Sequence, residues 1–286
     1  MRSRTLREGL FFGESPRWHD GRLWYSDFYD HAVHALAPDG ADERVVELDG
    51  RSSGLGWLPD GRLLIVSMLD RRVLRVEENG AVVTHADLSA IATGHCNDMV
   101  VDARGRAYVG NFGFDIEAPR DRSTPPPTAV LALVAPDGSV TAAADAMAFP
   151  NGTVITPDGR LLIIAESLGR RLTAFDIAPD GSLSGRRVWA DLSARPVSPD
   201  GICLDADGAV WAANALGPVV VRVAEGGAVL DEVEFSQTCF ACMLGGADGR
   251  QLYGLTAVSS VEHEAVPARA GRVEVATVDV PHAGLP

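Results

Sequence analysis

Lysine is absent: all 25 basic side chains of the 286-residue sequence are arginine. That absence excludes Schiff-base chemistry on a lysine amine. Against 39 acidic side chains it leaves a formal net charge of −14, which argues against nucleic acid and anionic membrane as partners. No apolar run approaches the roughly 18 residues of a membrane-spanning helix; the longest, "RLLIIA" and "TAVLALVA", are strand-sized. The opening "MRSRTLREGLFFGESP" has neither a sustained apolar core nor a small-residue cleavage site, so a cytoplasmic chain is expected. Cys96, Cys203, Cys239 and Cys242 are too few for a disulfide scaffold. The Cys239-x-x-Cys242 spacing has no second pair and no helix after it. It reads as two small core residues on a strand.

Turn residues, in contrast, are plentiful: 30 glycines and 17 prolines among 46% apolar residues. Turn pairs fall at Asp20-Gly21, Asp60-Gly61, Arg104-Gly105, Asp158-Gly159, Asp207-Gly208 and Asp248-Gly249, at intervals of 40, 44, 54, 49 and 41 residues. A short apolar run precedes each, and a run rich in Leu, Ile, Val, Tyr or Trp follows. Asp-Gly supplies the positive φ values of a tight antiparallel hairpin. Further strand candidates ("RRVLRVEENG", "TAVLALVAPDG", "RRLTAFDIAPDG", "PVVVRVAEGG") follow downstream. Two hairpins per repeat and six repeats predict an all-β, six-bladed propeller of four-stranded antiparallel blades, one domain over residues 1–286. The segment around Leu6–Phe12 and the strand "GRVEVATVDV" are expected to share one blade and close the ring.

In such a disc the innermost strand of each blade starts at the mouth of the central channel, opposite the Asp-Gly turn. The aligned openings are Glu14, Ser53, Asn97, Asn151, Asp200 and, more loosely, Ala241, with Glu14 one residue nearer its turn than the rest. A lone polar residue there would simply end a strand. Two carboxylates and two amides converging are different, because carboxylates about 5 Å apart repel by roughly 3 kcal/mol at an effective dielectric of about 20. The group calls for a cation in the central channel, and all-oxygen donors suit Ca²⁺, Mg²⁺ or Mn²⁺. Second strands return to the same face, ending at Asp27, Met68, Asn111, Glu166–Ser167 and Asn214. The third repeat enlarges its loop there to "FGFDIEAPRDRSTPPPT", a partial lid with Phe112 and Phe114 as apolar walls.

The ordered series "GESPRW", "ND" with "DARG", "FPNG…PDG" and "SPDG…DADGAVWAA" resembles the SMP-30/gluconolactonase/luciferin-regenerating-enzyme family over nearly the whole chain. The resemblance implies a gluconolactonase-like hydrolase of sugar or related small lactones with one divalent metal ion, Ca²⁺ first, with Zn²⁺, Mg²⁺, Mn²⁺ or Fe²⁺ as alternatives. It assigns the metal to Glu14, Asn151 and Asp200, with Asp200 also assisting the attacking water on a metal-polarised carbonyl. Asn97 is placed beside the metal and the substrate. Where sugar-lactonase members often carry an Arg two residues before that Asn, this chain has His95, which would orient a substrate or move a proton. Asn111, Phe112 and Phe114 complete the expected substrate-binding set, and the partner is a small-molecule lactone. The same site would also serve an esterase or organophosphate hydrolase. A non-hydrolytic propeller resembling strictosidine-synthase relatives would lack the full metal set.

Three other matches are turned down. "GRSSG" (Gly50–Gly54) fits the nucleophile-elbow pattern but is followed by a strand and hairpin instead of a helix. "NGT" at Asn151 fits a glycosylation sequon without a visible export signal. Asp205 and Asp207 lack the ligand spacing of a calcium loop and are turn residues.

Overall fold

In a computed structural model of the protein, residues 2–118, 121 and 123–284 are described. They form six four-stranded antiparallel sheets in a ring. The innermost strands of blades 1 to 6 are Gly13–His19, Ser52–Trp57, Cys96–Val101, Pro150–Ile155, Pro199–Leu204 and Cys239–Gly245. Five blades use consecutive strands; in the sixth, Arg4–Leu10 pairs with Gly271–Thr277, so both ends of the chain share one sheet. The closing strand ends at Leu10 because the next two residues are taken by blade 1: the Phe11 and Phe12 N–H groups donate to the Asp27 carboxylate at 2.9 and 3.0 Å. Among the described residues no helix is long and apolar enough to cross a membrane.

A four-stranded sheet cannot bury both its faces alone, and here neighbouring blades cover one another. Trp211, Cys203, Cys242, Leu252 and Leu255, for example, form part of one cluster spanning blades 5 and 6. Cys239 and Cys242 are core residues, as expected, and all four cysteines are buried and free. Inner strands come very close at the hub. A Cβ on Gly152 would stand 2.4 Å from the Ile202 nitrogen, and one on Gly201 2.6 Å from Ala241 Cβ. The glycine after Asn151 and after Asp200 is what lets these strands converge.

Two local features explain the spacing of the repeats. Only Asp20-Gly21 is a two-residue turn with positive φ at both positions, 48° and 73°. At the other five turns only the glycine is left-handed, and its N–H bonds to a carbonyl three residues back, as in Gly61 to Leu58 at 2.9 Å and Gly159 to Thr156 at 2.8 Å. These are the longer loops built on a type I turn with a glycine bulge. Their extra residue is why Glu14 lies one position nearer its turn. The second feature recurs in all six blades: the innermost strand slips by one residue against its neighbour just where it leaves the mouth. In blade 3, for example, Cys96 faces Asn111 but Met99 faces Val109. Such bulges re-aim a side chain, and in blades 1, 3, 4, 5 and 6 the second residue of the strand faces the open mouth of the channel.

Candidate active site

A cavity of about 960 Å³ opens at that mouth, and Glu14, Asn97, Asn151 and Asp200 all line it. They come from blades 1, 3, 4 and 5, and each is the second residue of its innermost strand. Their exposure is 5–7%. The sixth opening differs from the expected Ala241: Phe240, one residue earlier and second in its strand, lines the cavity instead. Ser53 is fully buried and donates to Asn97 Oδ1 at 3.4 Å. Ser15 adopts φ 50°, which turns its N–H back onto Glu14 Oε2 at 3.0 Å and orients that carboxylate.

Burial, followed by the charges of Asp200 and Asp98, holds the Glu14 carboxyl well above the usual range, with the Ser15 N–H and Arg17 opposing. Burial and then Asp98 push Asp200 up to about 8 against a hydrogen bond from Asn151. Among the described residues neither carboxylate forms an ion pair. Arg17, the cation whose charge acts on Glu14, is already engaged: its guanidinium donates to Asp98 Oδ1 at 2.7 Å, to the Met99 carbonyl and to the Pro16 carbonyl at 2.8 Å. Two buried carboxylates without their own counter-charge, beside two amides, match the donor set of a hard divalent cation. Among the described residues no three His, Cys, Asp or Glu side chains gather as a metal cluster, so the amide oxygens would have to complete the set.

This arrangement has a pH signature. Because both carboxyls titrate above their unfolded values of about 4, the unfolded chain releases these protons first. The metal-free fold therefore loses stability as pH rises from about 4 through about 8. Chelated wild-type protein is expected to melt progressively below the Asp200→Asn variant between about pH 5 and pH 8.5, and added Ca²⁺ should raise the wild type alone. Parallel melting curves for the two proteins, with and without Ca²⁺, would contradict the assignment.

The second-strand ends divide into two groups. Met68 and Ser167 line the cavity. Asp27, Asn111, Glu166 and Asn214 turn away and brace loops with their side chains. Asn111 accepts from the Gly113 N–H at 2.9 Å and donates to the Val130 carbonyl at 2.7 Å. Asn214 accepts from Ser198 and Leu216 N–H groups at 2.9 and 3.1 Å. Glu166 accepts from the Ala148 N–H at 2.7 Å. Phe112 lines the cavity, whereas Asn111, His95 and Phe114, expected in the same substrate-binding set, lie outside its lining. His95 stands behind Phe112 with ring centroids 6.4 Å apart, and its Nδ1 is buried without a hydrogen-bond partner among the described residues. Phe114 lies 6.0 Å from Phe149, which itself stacks on Phe112 at 4.5 Å.

Ile116 and Glu117 of the enlarged third-blade loop reach the rim; Pro119, Arg120 and Arg122 of that loop lie outside the described residues. The rest of the rim carries no motif in the sequence. A short helix, Glu262–Ala268, sits between the last two strands and overlooks the cavity. Arg51 ties the two rims together, donating to Glu117 and to Glu262 at 2.6 Å each and lying 5.1 Å from the Tyr29 ring centre.

Ring and mouth together define a six-bladed propeller with an acid–amide site at its hub. The chain belongs to the SMP-30/Gluconolactonase/LRE-like family, whose profile matches residues 12–258. It is 28% identical over 268 residues to the pentonolactonase XacC of Haloferax volcanii, covering 89% of this chain and 84% of that one. To the L-arabinolactonase of Azospirillum brasilense it is 27% identical over 277 residues, 95% and 86% of the two chains. The crystal structure of a regucalcin from Agrobacterium tumefaciens, described as a calcium-binding protein, superposes with a TM-score of 0.82 at 21% identity over 99% of this chain and 96% of that one. At that identity the likeness is one of fold.

Proposed function

We propose that the protein is a divalent-cation-dependent lactone hydrolase. The observation that carries this is the convergence of Glu14, Asn97, Asn151 and Asp200 on one cavity, with two buried carboxyls held out of their usual range. The pentonolactonase and L-arabinolactonase among its relatives support the reaction class, and the calcium-binding neighbour supports Ca²⁺ as the first ion to try. Glu14, Asn151 and Asp200 would hold the ion. When bound, a divalent cation polarises a carbonyl and lowers the pKa of water.

The chain's own residues account for the remaining steps. Asn97, held by Ser53, positions the lactone against the floor of the cavity, and Phe112 shapes the wall beside it. Water adds to the carbonyl carbon while Asp200 accepts a proton from it. Asp200 then returns that proton to the ring oxygen as the C–O bond breaks, and the resulting hydroxy acid ionises to its carboxylate by releasing a proton to solvent. His95, Asn111 and Phe114 act through the wall that they support. A cytoplasmic site of action belongs to the same proposal and agrees with four free, buried cysteines.

Chelated protein reloaded with Ca²⁺, Mg²⁺, Mn²⁺ or Zn²⁺ should release protons from γ- and δ-lactones at a rate set by the ion. Simple esters and phosphotriesters serve as comparators. Metal-independent hydrolysis, or turnover confined to phosphotriesters, would overturn the assignment.

A further inference from the structure

We propose that the preferred substrate is a lactone bearing an extended apolar substituent, not a polyhydroxylated sugar lactone. The inference rests on the lactonase reading above and concerns the walls of the same cavity. The cavity is about 960 Å³, at the upper end of pockets that enclose drug-sized ligands, whereas the oxygen donors form only its floor.

Above the floor the surface is aromatic and aliphatic. Phe12, Phe28, Met68, Phe112 and Phe240 belong to one cluster, with Phe149 packed against it. Phe12 meets Phe28 and Phe240 edge-on at 5.1 and 4.9 Å. Phe149 is held at φ 62° immediately before Pro150, a left-handed conformation that bulky side chains rarely adopt. That backbone presents its ring flat against Phe112. Strain kept in place to complete an apolar wall points to a function for the wall. The rim continues in the same character: Ile116, Leu168, Val261 and Val266 are 38–51% exposed and face the opening.

Several polar groups in these walls are already engaged, among them Tyr29, whose hydroxyl donates to the Ser260 carbonyl at 2.6 Å. Arg51 is held by Glu117 and Glu262. The Ser167 hydroxyl donates to the Pro199 carbonyl at 2.7 Å, and the Ser198 hydroxyl to the Ser167 carbonyl at 3.0 Å. Ser260 and His263 are exposed at the outer edge. A sugar lactone seated on the floor would turn its ring hydroxyls toward phenyl groups, losing water without gaining partners. An alkyl or aryl substituent would instead bury apolar surface against them.

The test uses the full chain loaded with Ca²⁺ and a series of δ-lactones with methyl, propyl, pentyl and heptyl side chains, alongside glucono-δ-lactone. kcat/KM should rise about fourfold per added methylene, the equivalent of about 0.8 kcal/mol, and glucono-δ-lactone should fall below the methyl compound. A flat series with glucono-δ-lactone as the best substrate overturns the inference and leaves the lactonase reading standing. No hydrolysis of any lactone overturns both. The exposed-rim variant Ile116→Ser/Val266→Ser should lose about tenfold on the heptyl lactone and little on the methyl one; equal losses on the two would count against the wall as the selector.

Discussion

Asp200→Asn is expected to lower kcat for lactone hydrolysis by about 10³-fold without destabilising the metal-free protein at pH 8. The loss combines two roles, each of which is worth about 10²-fold or more in enzymes: accepting a proton from the nucleophile and supplying charge where the transition state needs it. The amide keeps the size of the side chain and removes its charge. Stability should move the other way, because burial and Asp98 already hold this carboxyl up to about 8 and the chelated fold carries that penalty. Few substitutions outside a functional site destroy activity while sparing the fold, so the pairing of the two results is the diagnostic. Stopped-assay kinetics and thermal melts on the same preparation suffice. A variant that turns over at near the wild-type rate removes Asp200 from the reaction.

Removal of the neighbouring Asp98 should give the opposite pattern. Asp98→Ala is expected to destabilise by about 3–5 kcal/mol, because it leaves a buried arginine without its partner. In a chain of this size that amounts to a fall of roughly 10 °C in melting temperature. The Arg17 and Asp98 side chains are 4% and 6% exposed, so solvent offers Arg17 little compensation. The double variant Arg17→Met/Asp98→Leu should recover most of the loss, since two apolar side chains leave no charge stranded. Asp98 is also one of the charges that raise Glu14 and Asp200. Its removal should therefore shift the acidic limb of the pH–rate profile to lower pH in whatever protein remains folded. A single variant as stable as the double would show that the pair does not act as a unit.

The propeller was readable because its signals are local and repeated. A glycine turn every 40 to 54 residues and apolar runs on either side need no tertiary information. The four floor residues were readable for the same reason: each stands at a fixed distance from its turn, and only the tighter turn after His19 and the longer inner strand of blade 6 disturbed the count. Other features depended on geometry that spacing does not record. Whether a polar residue at a strand end faces the cavity or its own loop is decided by the bulge, which exists on the innermost strand and not on the second. That is why Asn97 reaches the mouth while Asn111 bonds Gly113. Arg51 meets partners 66 and 211 positions away, and no pattern along the chain joins them. Arg17 and Asp98 look like ordinary strand residues until two blades are set side by side. The short helix left one trace, acidic residues at Glu262 and Glu264 in a segment longer than a turn requires.

The slip of one residue on every innermost strand carries a consequence for how such a protein can change. Because the inward–outward alternation starts afresh below it, the side chains at positions 14, 97, 151 and 200 face the cavity and stay out of the apolar clusters between blades. New donors, or none, can be tried at the hub one place at a time with little penalty to folding. A scaffold with that freedom is suited to diversification, in which one architecture comes to host several reactions.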